Sequence, residues 1–141
     1  MGDLRRFVEA QAPVFETALS ELRAGQKRTH WMWFVFPQLK ALGRSSMAKF
    51  YGLHDLTEAR SYWEHSVLGP RLKACVTAVL TVESRTAHQI FGSPDDLKFC
   101  SCLTLFERAS RDDCFAAALE RLYQGRRDDV TLQLVDGHGV V

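Results

Sequence analysis

The chain has 141 residues, 46% hydrophobic and 25% charged, the proportions of a domain that folds around its own core rather than of a disordered or membrane chain. Eighteen Lys and Arg against seventeen Asp and Glu leave a net charge of +1, so no global field draws it to nucleic acid or an anionic membrane, and any anion site has to be local. The opening Met1-Gly2-Asp3-Leu4-Arg5-Arg6-Phe7 lacks the apolar stretch of a signal peptide and no run of about eighteen apolar residues occurs, which makes a cytoplasmic location the expectation.

Asp3 is placed to cap a first helix to about Gln11, and Pro13 suits the first turn of a second that carries Val14, Leu19 and Leu22 to a stop at Gly25. From Trp31 to Phe36 six consecutive side chains are large and apolar, so no face of that element can be left to water. Pro37 limits its C-terminal end. Periodicity does not separate a short central helix from a short buried strand here; the flanking helices favour the helix. Ser45 or Ser46 opens a short helix through Met47, Phe50 and Tyr51 to Gly52. Asp55-Leu56-Thr57-Glu58 reads as a capping box, with Glu58 reaching back to the Asp55 N–H, and starts a helix to about Ser66.

Gly69-Pro70 then reads as a break, with Pro70 beginning an apolar-striped helix through Leu72, Val76, Val79 and Leu80 to about Glu83. A short helix near Ala87 to Phe91 ends at Gly92. Ser93-Pro94-Asp95-Asp96 follows as cap, first-turn proline and two acids favoured by the helix dipole, opening a helix that carries Leu97, Phe99, Leu103 and Phe106. Asp112 or Asp113 restarts another to Gly125, and a last turn or helix covers Val130 to Val135. No repeat, low-complexity tract or long linker interrupts the chain. The expectation is an all-α fold, one multihelical globular domain over residues 1–141, with roughly seven to nine helices around the buried Trp/Phe-rich segment.

The familiar catalytic signatures are missing: no nucleophile elbow, H-E-x-x-H, Walker loop or Rossmann glycine pattern occurs. Cys75, Cys100, Cys102 and Cys114 include no C-x-x-C pair and read as reduced, mostly buried thiols, so neither a metal nor another cofactor is expected. Nucleic-acid binding is not expected either, because Trp31 and Trp33 stack on bases only if exposed, and their setting argues burial.

One reading of the aromatic segment is a hydrophobic pin at the centre of the domain whose indole N–H groups are satisfied internally. That reading leaves its polar company unexplained. Lys27, Arg28, Thr29 and His30 precede the pin, Gln38 follows it, and Arg44, Ser45, Ser46, Lys49 and Tyr51 come soon after. Cations and hydroxyls gathered this way suit a phosphate or carboxylate.

The run Lys27-Arg28-Thr29-His30-Trp31-Met32-Trp33-Phe34-Val35-Phe36-Pro37-Gln38, followed by Leu42-Gly43-Arg44-Ser45-Ser46-Met47-Ala48-Lys49-Phe50-Tyr51-Gly52, resembles the signature of an uncharacterised, mainly bacterial domain family of unknown function. Some members of that family carry the label calpastatin. The likeness continues through Glu58-Ala59-Arg60-Ser61-Tyr62, His65 to Leu72, Ile90 to Phe99, Thr104-Leu105-Phe106 and Asp129-Val130-Thr131-Leu132, nearly the whole chain. Where the family tends to have Arg-Ser-Ser, this chain has Cys100-Ser101-Cys102, whereas Lys98, Ser101 and Thr104 match. The resemblance implies an all-α fold and no established activity. Calpain inhibition is excluded, because a calpastatin inhibitor domain is polar, disordered and Pro-rich, and this chain has four prolines and a full core. A remoter resemblance, by analogy, is to helical domains that process NAD or ADP-ribose-like nucleosides by N-glycosidic cleavage, substrates that suit aromatic walls, a few cations and an acid.

His30, Glu58 and Lys98 are the candidate catalytic groups, each beside a plainer role: His30 as a boundary residue, Glu58 as a capping acid, Lys98 as a stem packed on Phe99. His65 stands before a helix break, where it suits the last carbonyls. Lys27, Arg28, Trp33, Gln38, Arg44, Ser45, Ser46, Ser101, Thr104 and Asp129 are the candidate ligand-binding residues, and Asp129 reads equally as a cap. Two functions remain open: a small-molecule domain, binding or acting on a nucleotide-like or other anionic metabolite, and a non-catalytic interaction domain whose motif is only core.

Overall fold

The computed structural model describes residues 3–136. Ten α-helical segments follow in chain order: α1 Arg5–Gln11, α2 Phe15–Ala24, α3 Met32–Val35, α4 Ser46–Phe50, α5 Leu56–Glu64, α6 Leu68–Leu80, α7 Ala87–Phe91, α8 Asp95–Ala109, α9 Cys114–Tyr123 and α10 Asp129–Asp136, with a 3-10 turn at Lys40–Leu42. The count is slightly above the expected seven to nine, and three of the ten, α3, α4 and α7, are single turns of four or five residues. The only extended pairing among the described residues is an isolated parallel bridge between Leu39 and Leu53.

Most of the apolar residues expected in the core are buried there. Helix α8 is central, packing against α5, α7, α9 and α10, while α6 packs against α2, α5 and α9. Between them lies one aromatic core, in which Phe36 meets Phe99 at 4.7 Å and Phe99 meets Phe91 at 4.5 Å. Within segment 31–36 a helix forms, as favoured, over Met32–Val35 alone, and Trp31, Met32, Phe34, Val35 and Phe36 are buried, each apolar side chain contributing about 1.5–3 kcal/mol. Trp33 alone stays partly exposed. The pin is also held by polar groups: Gln11 Nε2 donates to the Phe34 carbonyl at 2.6 Å and to the Tyr62 hydroxyl at 2.9 Å.

Several local expectations are corrected. Leu4, not Asp3, occupies the cap position of α1. Gly69 and Pro70 lie inside the first turn of α6; the break falls at His65–Val67, where His65 Nδ1 accepts from the N–H of Val67 and Leu68 and so serves the start of α6 rather than the end of α5. Asp55 caps α5 as read, but Glu58 returns to the N–H of His54 at 2.6 Å, one residue earlier than expected. Pro94, not Ser93, occupies the cap position of α8, after a cis Ser93–Pro94 bond, and Leu97 is 65% exposed instead of joining the core stripe. Asp128 rather than Asp129 caps α10, its Oδ2 accepting from the N–H and hydroxyl of Thr131.

Residues 39–53 form a closed loop beside the pin. They leave it at Gln38 and return at Leu53, with Leu53 N–H donating to Gln38 O at 3.0 Å and Lys40 N–H to Leu53 O at 2.7 Å. Two glycines let this loop close on itself. A Cβ on Gly52 would stand 2.3 Å from Lys40 Cα, and one on Gly43 2.9 Å from the Ala48 carbonyl carbon, so any side chain would force the backbone apart. Ser45 Oγ accepts from Ala48 N–H and caps α4, the cap the sequence indicates. The loop is therefore a braced wall.

Candidate functional site

The tip of that wall, from Leu42 to Ala48, faces α8 and the start of α10 across a cleft of about 450 Å³. Gln38, Arg44, Ser45, Lys98 and Ser101 all line it. Arg44 is exposed and Lys98 half-buried, and neither has an ion-pair partner among the described residues. Ser45 Oγ receives a backbone N–H and keeps its own hydrogen free, while Ser101 Oγ donates back to Leu97 O at 3.3 Å. Leu42, Pro94, Leu97 and Val130 supply apolar surface, and Asp128 is the carboxylate of the lining. Trp33 lies just inside, in a narrow cavity it shares with Gln38, Lys98 and Tyr51. A cleft of this size with two uncompensated cations and several hydrogen-bonding groups matches the usual dimensions of a small-molecule site.

The remaining candidates lie elsewhere. Lys27 is held 3.0 Å from Asp95 and stands over the Trp31 ring, so its charge is already matched. Arg28 and His30 are exposed, outside the cleft, and Ser46 is exposed beside it without lining it. Thr104 is fully buried under Asp128, accepting its backbone N–H at 3.0 Å. Asp129 borders a neighbouring cleft with Cys100 and Tyr123, and Glu58 borders a separate one at the base of residues 39–53.

The polar residues before the pin serve a group that sequence reasoning missed. Glu21 on α2 is buried, and its carboxylate accepts from the N–H of Arg28 (2.8 Å) and of Thr29 (3.1 Å), the Thr29 hydroxyl (2.7 Å) and Trp31 Nε1 (2.9 Å). Burial pushes this carboxyl up, but the bonds from Arg28, Thr29 and Trp31 outweigh it and hold it below the ordinary value. The only available signal was a lone Glu one turn before the Gly25 stop, with four donors a few residues on.

Among the described residues no three His, Cys, Asp or Glu side chains are grouped to hold a metal ion, and no helix is long and apolar enough to cross a membrane. The thiols are free and shielded: burial pushes Cys75 up to about 12 and Cys100 up to about 11.

Fold and cleft together define an all-α domain with a cation-lined surface site beside a buried aromatic pin. The chain belongs to a family described as proteins of unknown function (DUF1810), whose model matches residues 1–135. It is similar to a conserved hypothetical protein, Rv1873, from Mycobacterium tuberculosis, with 51% identity, 96% of this chain and 98% of that one covered, and a TM-score of 0.94. No curated protein matches the chain.

Proposed function

We propose that this protein binds a small anionic metabolite, nucleotide-like in character, in the cleft between residues 42–48 and the start of α8. The observation that carries this reading is the pair Arg44 and Lys98, two cations without carboxylate partners among the described residues, lining one cleft with Gln38 and Ser45. Arg44 offers a planar fork to a phosphate or carboxylate, and Lys98 a compact ammonium from the opposite wall. Leu42, Leu97 and Val130 give a flat apolar part of the same ligand somewhere to rest.

If the domain also acts on its ligand, the acid in reach is Asp128, since His30 and Glu58 do not line this cleft. N-glycosidic cleavage needs a carboxylate near the sugar to stabilise its developing positive charge or to activate water. One oxygen of Asp128 is engaged by Thr131, which leaves the other for that task. Binding is thus the primary reading and catalysis depends on Asp128.

The test is a thermal-shift screen of nucleotides, sugar phosphates and NAD-related metabolites, because a ligand that binds the native state raises its melting temperature by mass action. The expected result is a dose-dependent rise with an anionic compound that disappears in Arg44→Ala and Lys98→Ala. A rise that survives both substitutions defeats the proposal.

Leu97 at 65% and Val130 at 50% exposure favour a second reading, in which this apolar rim docks a protein partner and the domain is non-catalytic. That reading predicts an unshifted melt with every metabolite.

A further inference from the structure

The braced segment has a second lined face. Its tip walls the cleft of Arg44 and Lys98, whereas its base, Lys40 with Lys49, Phe50 and Gly52, walls another of about 580 Å³, closed on the far side by His54, Thr57 and Glu58. We infer that this second cleft is a separate binding site for a phosphate-bearing ligand with a planar ring. The inference does not rest on the first cleft and goes beyond it.

The charges at the mouth are unequal in how far they are already used. Glu58 is 8% exposed; its Oε1 accepts from His54 N–H at 2.6 Å and stands 3.8 Å from the Arg6 guanidinium. Arg6 is further occupied by the carbonyls of Phe50 (2.8 Å), Gly52 (3.1 Å) and Asp3 (2.5 Å). These two groups therefore balance each other and build the wall. Asp55, also at the mouth, spends one oxygen on Glu58 N–H at 2.9 Å. Lys40 and Lys49 are exposed and have no ion-pair partner among the described residues, and the His54 ring and Thr57 hydroxyl make no hydrogen bond there. Two ammonium groups, an imidazole and a hydroxyl around one concave surface are donors that match phosphate oxygens.

Phe50 adds a different contribution. Its ring is 58% exposed at the cleft wall and packs edge-on against Tyr51 at 4.8 Å, which leaves much of it open to a ligand. An exposed ring beside cations is a stacking platform for a base or another flat group. The bracing at Gly52 and Gly43 keeps Lys40, Lys49 and Phe50 in fixed relation before any ligand arrives, which lowers the ordering cost of binding.

The test titrates ADP and inorganic pyrophosphate into the full chain and into Lys40→Ala/Lys49→Ala, Phe50→Ala and Asp55→Asn, following backbone amides by NMR. Each substitution is at an exposed position, and asparagine keeps the cap of α5, so far-UV circular dichroism should stay unchanged. The expected result is saturable shifts at His54 and Thr57 with both probes, weakened about tenfold or more in Lys40→Ala/Lys49→Ala. Phe50→Ala should weaken ADP and spare pyrophosphate, and Asp55→Asn should tighten both by removing a like charge. No saturation at His54 and Thr57 by about 10 mM of either probe overturns the inference. So does ADP binding that Arg44→Ala abolishes and Lys40→Ala/Lys49→Ala leaves intact, a result that supports the first cleft alone. The reverse pattern upholds this site and leaves the first cleft to its own screen.

Discussion

Glu21 offers the sharpest test of how the aromatic pin is held. Replacing it with alanine removes the acceptor for four donors at once, those of Arg28 and Thr29 at the exposed loop and that of Trp31 in the core. Water can replace the loop partners, so their loss costs a fraction of a kcal/mol each; Trp31 is 1% exposed, and leaving its Nε1–H without an acceptor costs about 1–3 kcal/mol. The sum is about 3 kcal/mol, or roughly 10 °C in Tm for a domain of this size. Glu21→Gln keeps one acceptor oxygen and should lose about half as much.

The same residue carries a pH signature. Its folded carboxyl lies below the ordinary 4.5, so below that value the unfolded chain binds the proton more readily than the native one. The stabilisation is complete above the ordinary value and is lost as pH falls through the lowered one. Urea unfolding followed by tryptophan fluorescence at neutral and acid pH should show Glu21→Gln with the shallower acid loss. A midpoint change in Glu21→Ala no larger than that of the exposed Glu64→Ala would refute the reasoning.

Gly52→Ala places a Cβ 2.3 Å from Lys40 Cα, which should part the Leu39–Leu53 bridge and destabilise the chain by about 1–3 kcal/mol in the same urea assay, with anion binding lost at both clefts. Among the thiols, Cys100 is partly exposed and the other three are buried. A thiol reagent at mildly alkaline pH should therefore label one cysteine slowly in the native chain and all four in denaturant; fast labelling of two or more native thiols would contradict that burial.

The helical class and several helix ends were legible because they depend on near neighbours: Ser45 caps α4 and Asp55 caps α5. Misreadings arose where two adjacent residues compete for one role. Asp128 outranks Asp129 because the backbone at 128 is the one whose carboxylate reaches the Thr131 N–H, and Pro94 takes the cap position that Ser93 was expected to fill.

The lining of the candidate cleft was legible in part for the same reason. Gln38, Arg44 and Ser45 are near in sequence, and Lys98 and Ser101 share one helix face, so two short stretches meeting once were enough to assemble the cleft. Lys27 shows what sequence cannot supply: a cation in the same motif is neutralised by Asp95, far along the chain, and only tertiary packing reveals it. Glu21 and Thr29 were opaque in the complementary way, because nothing in the pattern says that a helical carboxylate turns inward.

The most direct measurement is an amide chemical-shift map of the protein during titration with the anionic compound that most raises its melting temperature. The expected result is saturable shifts centred on Gln38, Arg44, Ser45, Lys98 and Ser101, absent in Arg44→Ala/Lys98→Ala. Shifts confined to residues away from that cleft, or unchanged by the double substitution, would contradict the proposed function.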